Sequence, residues 1–200
     1  MNLSEFGISE IIRWETGGRK YYRKHPEWPG EQSGVTIGIG WDLGHTPLPE
    51  TISAWSGKLG SATFTALSGV VGIKGEEAKA ILHKVEHLVI PWEAALDVFS
   101  KHTLPNWYLK TLRIYPQMID LPGDCAAALV SLVFNRGTSL SGDRRKEMMQ
   151  IKELLRLGKL DKIPDEFLSM RRLWPNTEGL RTRRFQEAQL FEAGLIPKGE

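Results

Sequence analysis

The chain has one cysteine in 200 residues, Cys125, which excludes a disulfide framework and any cysteine-rich zinc site. Cys125 precedes Ala126-Ala127-Ala128-Leu129, a setting that suits a packed thiol rather than a nucleophile. No run approaches the ~18 uninterrupted apolar residues of a membrane span. Neither sign of charge dominates, since 26 Lys and Arg face 24 Asp and Glu for a formal net charge of +2. That balance gives little support to nucleic acid as a partner, although it tolerates an acidic polymer. Internal repeats and low-complexity tracts are absent, and the 20 Gly and 11 Pro follow no collagen-like period. The N-terminus carries Glu5 and Glu10 and lacks both a basic segment and a long apolar one, so an encoded signal peptide is not expected. What is present, 41% hydrophobic residues with 9% aromatics, is enough for a buried core and points to a soluble globular monomer.

Hydrophobic period organises the chain. Ile8, Ile11, Ile12 and Glu15 follow i, i+3, i+4, i+7 spacing, which predicts a helix over 4–16 ended by Gly17-Gly18. Residues 19–29 read as a polar, aromatic loop. Val35 to Leu43 alternates, and Gly38 and Gly40 break it into a hairpin, giving a β element at about 34–44. A helical lobe at about 75–193 follows. Its first stripe is Ala78, Ile81, Leu82, Val85 and Leu88, closed by Pro91. Further helices are predicted over 92–99, 104–114, 124–135, 144–157 and 178–193, and Ala126 to Phe134 is apolar all round, as a central buried helix would be. The pattern predicts a mostly helical α+β fold in a single domain over 1–200.

Two segments carry chemistry. The wheel that buries Ile8, Ile11 and Ile12 points Glu15 into the same stripe, where desolvation would favour the protonated carboxyl and suit a general acid. A helix-end glutamate that snorkels to water is the alternative. Alternation over 35–42 places Val35, Ile37, Ile39 and Trp41 on one face and Thr36, Gly38, Gly40 and Asp42 on the other. The second face is a bare strip that a bulky ligand can approach, or simply a turn that needs its glycines. A straight strand would hold Thr36 and Asp42 roughly 20 Å apart, so joint action requires the chain to fold back at the glycines.

The helix ending in Glu15, the loop with Tyr21 and Tyr22, and Gly34-Val35-Thr36-Ile37-Gly38-Ile39-Gly40 together resemble the phage-type lysozymes of the lysozyme-like superfamily. The continuation Trp41-Asp42-Leu43-Gly44 is closer to the pesticin-type branch, toxins and effectors that cut peptidoglycan. Val130 to Gly137, with its Phe134-Asn135-Arg136-Gly137 end, and Gly179-Leu180-Arg181-Thr182-Arg183-Arg184 resemble later segments of the same family, in the same order. Residues 46–120 match only in helical character.

The resemblance implies a lysozyme-like fold and a muramidase that hydrolyses the β-1,4 bond between N-acetylmuramic acid and N-acetylglucosamine, without a cofactor or metal. Glu15 would protonate the leaving oxygen, Thr36 would position water, and a second carboxylate would activate that water or stabilise the cationic transition state. Phage lysozymes carry an Asp six residues before the Thr, where this chain has Gly30 with Glu31 beside it; the pesticin-type pattern carries it six residues after, at Asp42. Asp42 shares a strand face with Thr36 and is the preferred candidate. Tyr22, Gly38, Gly40, Asn135 and Arg184 are the candidate substrate-binding residues. The partner is the peptidoglycan glycan strand in the periplasm, reached through a lysis protein or a secretion-type delivery system, with an immunity protein as a further partner. Endolysin, bacteriocin and effector remain open.

Competing patterns have bland explanations. His83-Lys84-Val85-Glu86-His87 fits the H-x-x-E-H arrangement of inverted zinc peptidases, but the wheel turns His83, Glu86 and His87 away from the apolar stripe. Arg19, Lys20, Arg23 and Lys24 beside Tyr21 and Tyr22 would suit nucleic acid or a loop flanking a glycan cleft. Arg183 and Arg184 lie one turn before Glu187, and a buried guanidinium there requires a partner. Asn135 suits an acetamido group or a helix C-cap, and Trp14, Trp28, Trp41 and Trp174 suit sugar stacking or the core. A catalytically silent glycan-binding module is the alternative to an enzyme on the same fold.

Overall fold

The structure, a computed structural model, describes residues 1–196. Among them the order is α1 (Glu5–Thr16), β1 (Thr36–Ile37), β2 (Trp41–Asp42), α2 (Leu48–Trp55), α3 (Ser61–Ser68), α4 (Gly75–Ile81), α5 (Trp92–Val98), α6 (Leu104–Ile114), α7 (Gly123–Arg136), α8 (Lys146–Arg156), α9 (Ile163–Ser169) and α10 (Glu178–Leu195). The chain is therefore mostly helical with one small antiparallel sheet, an α+β composition. The chain divides into two compact units. One combines Met1–Trp14 with the chain from Asn106 onward, and the other is Glu15–Pro105.

The Glu15–Pro105 unit is built around the hairpin. β1 and β2 pair with Thr36 opposite Asp42 and Ile37 opposite Trp41. The fold-back is possible because Gly38 and Gly40 take φ values of +60° and +69°, which cost L side chains strain. Val35, Ile37, Ile39, Trp41 and Leu43 are all buried, the apolar set of the alternation. The indole of Trp55, from α2, packs under the turn: a Cβ on Gly38 would lie 2.8 Å from Trp55 Cη2. Trp41 meets Trp55 edge-on with ring centroids 6.2 Å apart.

In the other unit α7 is the core element, with Cys125 through Val133 buried without interruption. Small residues let its neighbours approach. A Cβ on Gly7 of α1 would fall 2.4 Å from Ala127 Cβ, and one on Gly194 of α10 would fall 2.7 Å from Cys125 Sγ. Each large side chain buried in such a core contributes about 1.5–3 kcal/mol. The carboxylate of Glu187 on α10 is fully buried there. Its Oε1 accepts hydrogen bonds from Ser131 Oγ at 2.5 Å, Arg184 Nη2 at 2.9 Å and Arg183 Nε at 3.1 Å, the pairing that the helical spacing predicts.

The helical lobe departs from the sequence expectation in two places. The stripe of 78–88 is not one helix: α4 stops at Ile81 and Leu82–Lys84 tightens into a 3-10 turn, although Ala78 and Val85 remain buried. Helices α2, α3 and α9 come without being anticipated. The first two have only eight residues each, too short for their period to stand out. α9 could have been found, because Ile163, Phe167 and Met170 are buried at i, i+4, i+7 and Pro164 opens the helix.

Candidate active site

A cavity of about 530 Å³ lies in the Glu15–Pro105 unit, lined by Glu15, Tyr22, Glu27, Thr36, Gly38 and Gly40 among others. Its volume is that of a small-ligand site. α1 delivers Glu15 one residue before its end and Gly17 and Gly18, with φ of +72° and +87°, stop the helix there. Glu15 is half-buried, so neither the fully buried nor the freely solvated alternative describes it. Tyr22 stands on the wall with its ring edge-on to Trp92 at 5.2 Å. Its hydroxyl donates to the Ile90 carbonyl at 3.2 Å, and burial pushes the phenol up to about 12. Five of the sequence candidates, Glu15, Thr36, Gly38, Gly40 and Tyr22, thus line one cavity.

Thr36 sits in the middle of a row. On one side it is paired with Asp42. On the other it forms an antiparallel bridge to Glu27, exchanging both backbone bonds, Thr36 N to Glu27 O at 2.8 Å and Glu27 N to Thr36 O at 3.0 Å. The two flanking carboxylates have different surroundings. Asp42 Oδ1 accepts the N–H groups of Gly44 at 2.8 Å, Gly34 at 3.0 Å and His45 at 3.2 Å. It borders a separate depression with Glu31 and is not among the residues lining the cavity. Gly34 and Gly44 approach so closely that a Cβ on Gly34 would lie 2.3 Å from Gly44 N and 2.6 Å from Asp42 Oδ1. Asp42 is therefore the clasp of the hairpin base. Glu27 faces the cavity, and its Oε2 meets Arg23 Nη1 at 2.6 Å. Glu31, exposed and at φ +49°, lies in the turn that precedes Gly34.

Sequence reasoning missed Glu27 because its tie to Thr36 is a bridge across a loop, with no fixed spacing to mark it. The only available signal was an acidic residue upstream of the Thr on the chain that must flank the hairpin. The glycine floor also needs a correction. Gly38 borders the cavity, but its Cβ direction runs into Trp55 and Ala95, so a methyl group there strikes the core rather than the cavity. Aromatic stacking is likewise relocated: Trp41 is buried, Trp28 donates to Ser33 O at 3.0 Å, and Trp14 donates to Gln186 Oε1 at 2.7 Å. Trp174 lies under the guanidinium of Arg136, 4.8 Å from its ring centroid. The aromatic lining of the cavity is Tyr21 and Tyr22.

Asn135 and Arg184 belong to the other unit. Asn135 is exposed and accepts from Arg184 Nη2 at 3.3 Å, while Arg184 is fully buried beside Glu187. The basic loop residues Arg19 and Arg23 pair with Glu93 and Glu27. His83, Glu86 and His87 are exposed, and the 3-10 turn breaks the helical register that would stack the two histidines. Among the described residues no group of three or more His, Cys, Asp and Glu is placed to hold a metal ion, and no helix is long and apolar enough to cross a membrane.

A family model described as a domain of unknown function (DUF8812) matches residues 12–104. That stretch holds the cavity and all three residues of the Glu27–Thr36–Asp42 row. No curated protein matches the chain.

Proposed function

We propose that this chain is a peptidoglycan muramidase of lysozyme-like architecture. It hydrolyses the β-1,4 bond between N-acetylmuramic acid and N-acetylglucosamine. The observation that carries the assignment is the meeting of Glu15 and Thr36, far apart in sequence, on the wall of one cavity with the Gly38 and Gly40 turn. Glu15, half-buried at a helix end, is the general acid that protonates the leaving glycosidic oxygen. The hydroxyl of Thr36, which both donates and accepts, orients the attacking water. Tyr22, anchored through its hydroxyl to Ile90 O, presents a ring face or edge to a pyranose. On this reading the substrate is the glycan strand and the site of action is the periplasm.

The test is release of reducing ends from purified sacculi by the wild type and by Glu15→Gln. The wild type should release disaccharide-repeat muropeptides, and the variant should fold normally and lose activity by about 10²–10⁴-fold. Targeting the wild type to the periplasm of a Gram-negative host should lyse the cells, and targeting Glu15→Gln should not. Binding to sacculi without any cleavage by the wild type would make the chain a glycan-binding module instead.

A further inference from the structure

A general acid needs a base on the water side, and the two carboxylates flanking Thr36 compete for that role. We infer that Glu27 is the catalytic base that activates the attacking water, an inference that rests on the glycosidase assignment above.

Three observations support Glu27, and the first and third of them separate it from Asp42. First, Glu27 lines the same cavity as Glu15 and Thr36. Second, Glu27 and Thr36 exchange both backbone hydrogen bonds. Residues opposed in this way carry their side chains on one face with Cα atoms about 5.5 Å apart. A carboxylate and a hydroxyl leaving the strands side by side at that spacing can hold one water between them. Third, the acceptor capacity of the two carboxylates differs. Oδ1 of Asp42 already takes three backbone N–H groups, and Oδ2 is 3.3 Å from Gly34 N. Among the described residues the Glu27 side chain has one partner, Arg23, on Oε2, which leaves Oε1 for water. The hydrogen bond to Glu27 raises the pKa of the Arg23 guanidinium. The side chains of Arg23 and Glu27 are 80% and 41% exposed, so the pair is solvated and opens at little cost when substrate enters.

The step balances as follows. The bond from C1 of N-acetylmuramic acid to O4 of the next sugar breaks, and its electron pair stays on O4, which takes the proton of Glu15. The water oxygen forms the new bond to C1, and its released proton goes to Glu27. Glu15 ends ionised and Glu27 protonated, and exchange with solvent restores both.

The experiment uses the full chain on purified sacculi, with reducing-end release, melting temperature and product mass as readouts. Glu27→Gln should melt within about 2 °C of the wild type and turn over at least 100-fold more slowly. Glu27→Asp should recover part of that loss. Glu27→Ala should be rescued by sodium azide, giving a glycosyl azide detectable by mass, because azide attacks without needing a base. Turnover of Glu27→Gln within threefold of the wild type would overturn the inference, as would loss of turnover in Glu27→Ala that azide does not rescue. A wild type that releases no reducing ends overturns both the glycosidase assignment and this one. A wild type that cleaves, with Glu15→Gln dead and Glu27→Gln active, overturns this one alone.

Discussion

The two edges of the Thr36 strand carry the same functional group in opposite circumstances. On one edge Asp42 is closed in by the amides of Gly34, Gly44 and His45. On the other, Glu27 opens into a cavity and touches a solvated arginine. Both are acidic, both are aligned with Thr36, and a sequence pattern gives preference to the first because its spacing to the Thr is fixed. The difference teaches that a carboxylate saturated by backbone donors is a structural acceptor. Catalytic competence requires an oxygen left over.

Removing the hydroxyl common to both edges probes this arrangement at its centre. Thr36→Val keeps the branched shape and the backbone pairing, so the melting temperature should stay within about 2 °C. Turnover should fall roughly 100-fold, the scale on which misplaced reactants lose rate. An unchanged rate in steady-state reducing-end assays would mean that Thr36 contributes packing alone, and the two edges would then differ for reasons unrelated to chemistry.

Asp42→Ala sharpens the comparison from the closed edge. It strips the acceptor from three amides, a loss of about 3 kcal/mol on the scale of charge-assisted hydrogen bonds. For a chain of this size that corresponds to roughly 6–12 °C in melting temperature. Turnover per folded molecule should change by less than tenfold. If scanning calorimetry instead finds an unaltered melting temperature with turnover abolished, Asp42 is the catalytic partner and the contrast between the edges is reversed.

Much of this was legible in the chain. Strict alternation from Val35 to Leu43 announces a strand with one buried face, and Gly38-Ile39-Gly40 announces where it turns. Those two facts are enough to bring Thr36 opposite Asp42. α6 and α7 were legible because their apolar residues persist over 11 and 14 residues, long enough for the helical period to be distinct. The bridge from Glu27 to Thr36 was not legible, since strand pairing across a loop leaves no local trace. Nor was the fate of Asp42, because its three donors are backbone groups, which look alike in every sequence.

Gly38→Ala tests the turn between the edges. Its positive φ and the 2.8 Å approach of Trp55 combine backbone strain with overpacking, together about 2–4 kcal/mol. Because the methyl group points into the core, activity should fall only in proportion to the folded fraction. Circular-dichroism melts and turnover measured well below the transition separate these effects. A loss of turnover in fully folded protein would restore Gly38 as a surface that the sugar touches directly.

The smallest effect belongs to Tyr22→Phe, on the wall of the open edge. The ring and its contact with Trp92 remain, and only the hydroxyl bond to Ile90 O is lost, worth about 0.5–1.5 kcal/mol. The pH dependence is the sharper readout. Burial raises the Tyr22 phenol from its ordinary value of 10.0 to about 12 in the folded chain. The unfolded chain therefore ionises first, and the stabilisation is complete below pH 10 and lost as the pH climbs through 12. Phenylalanine cannot ionise, so the variant should start slightly less stable at pH 7 and lose less between pH 10 and 12. Tyr115 and Cys125, whose ionisation burial also opposes, keep both proteins alkali-sensitive, so the difference between the two curves carries the information. Parallel curves of melting temperature against pH would mean that the Tyr22 hydroxyl is solvated and that the cavity wall is less firmly anchored than its bond to Ile90 implies.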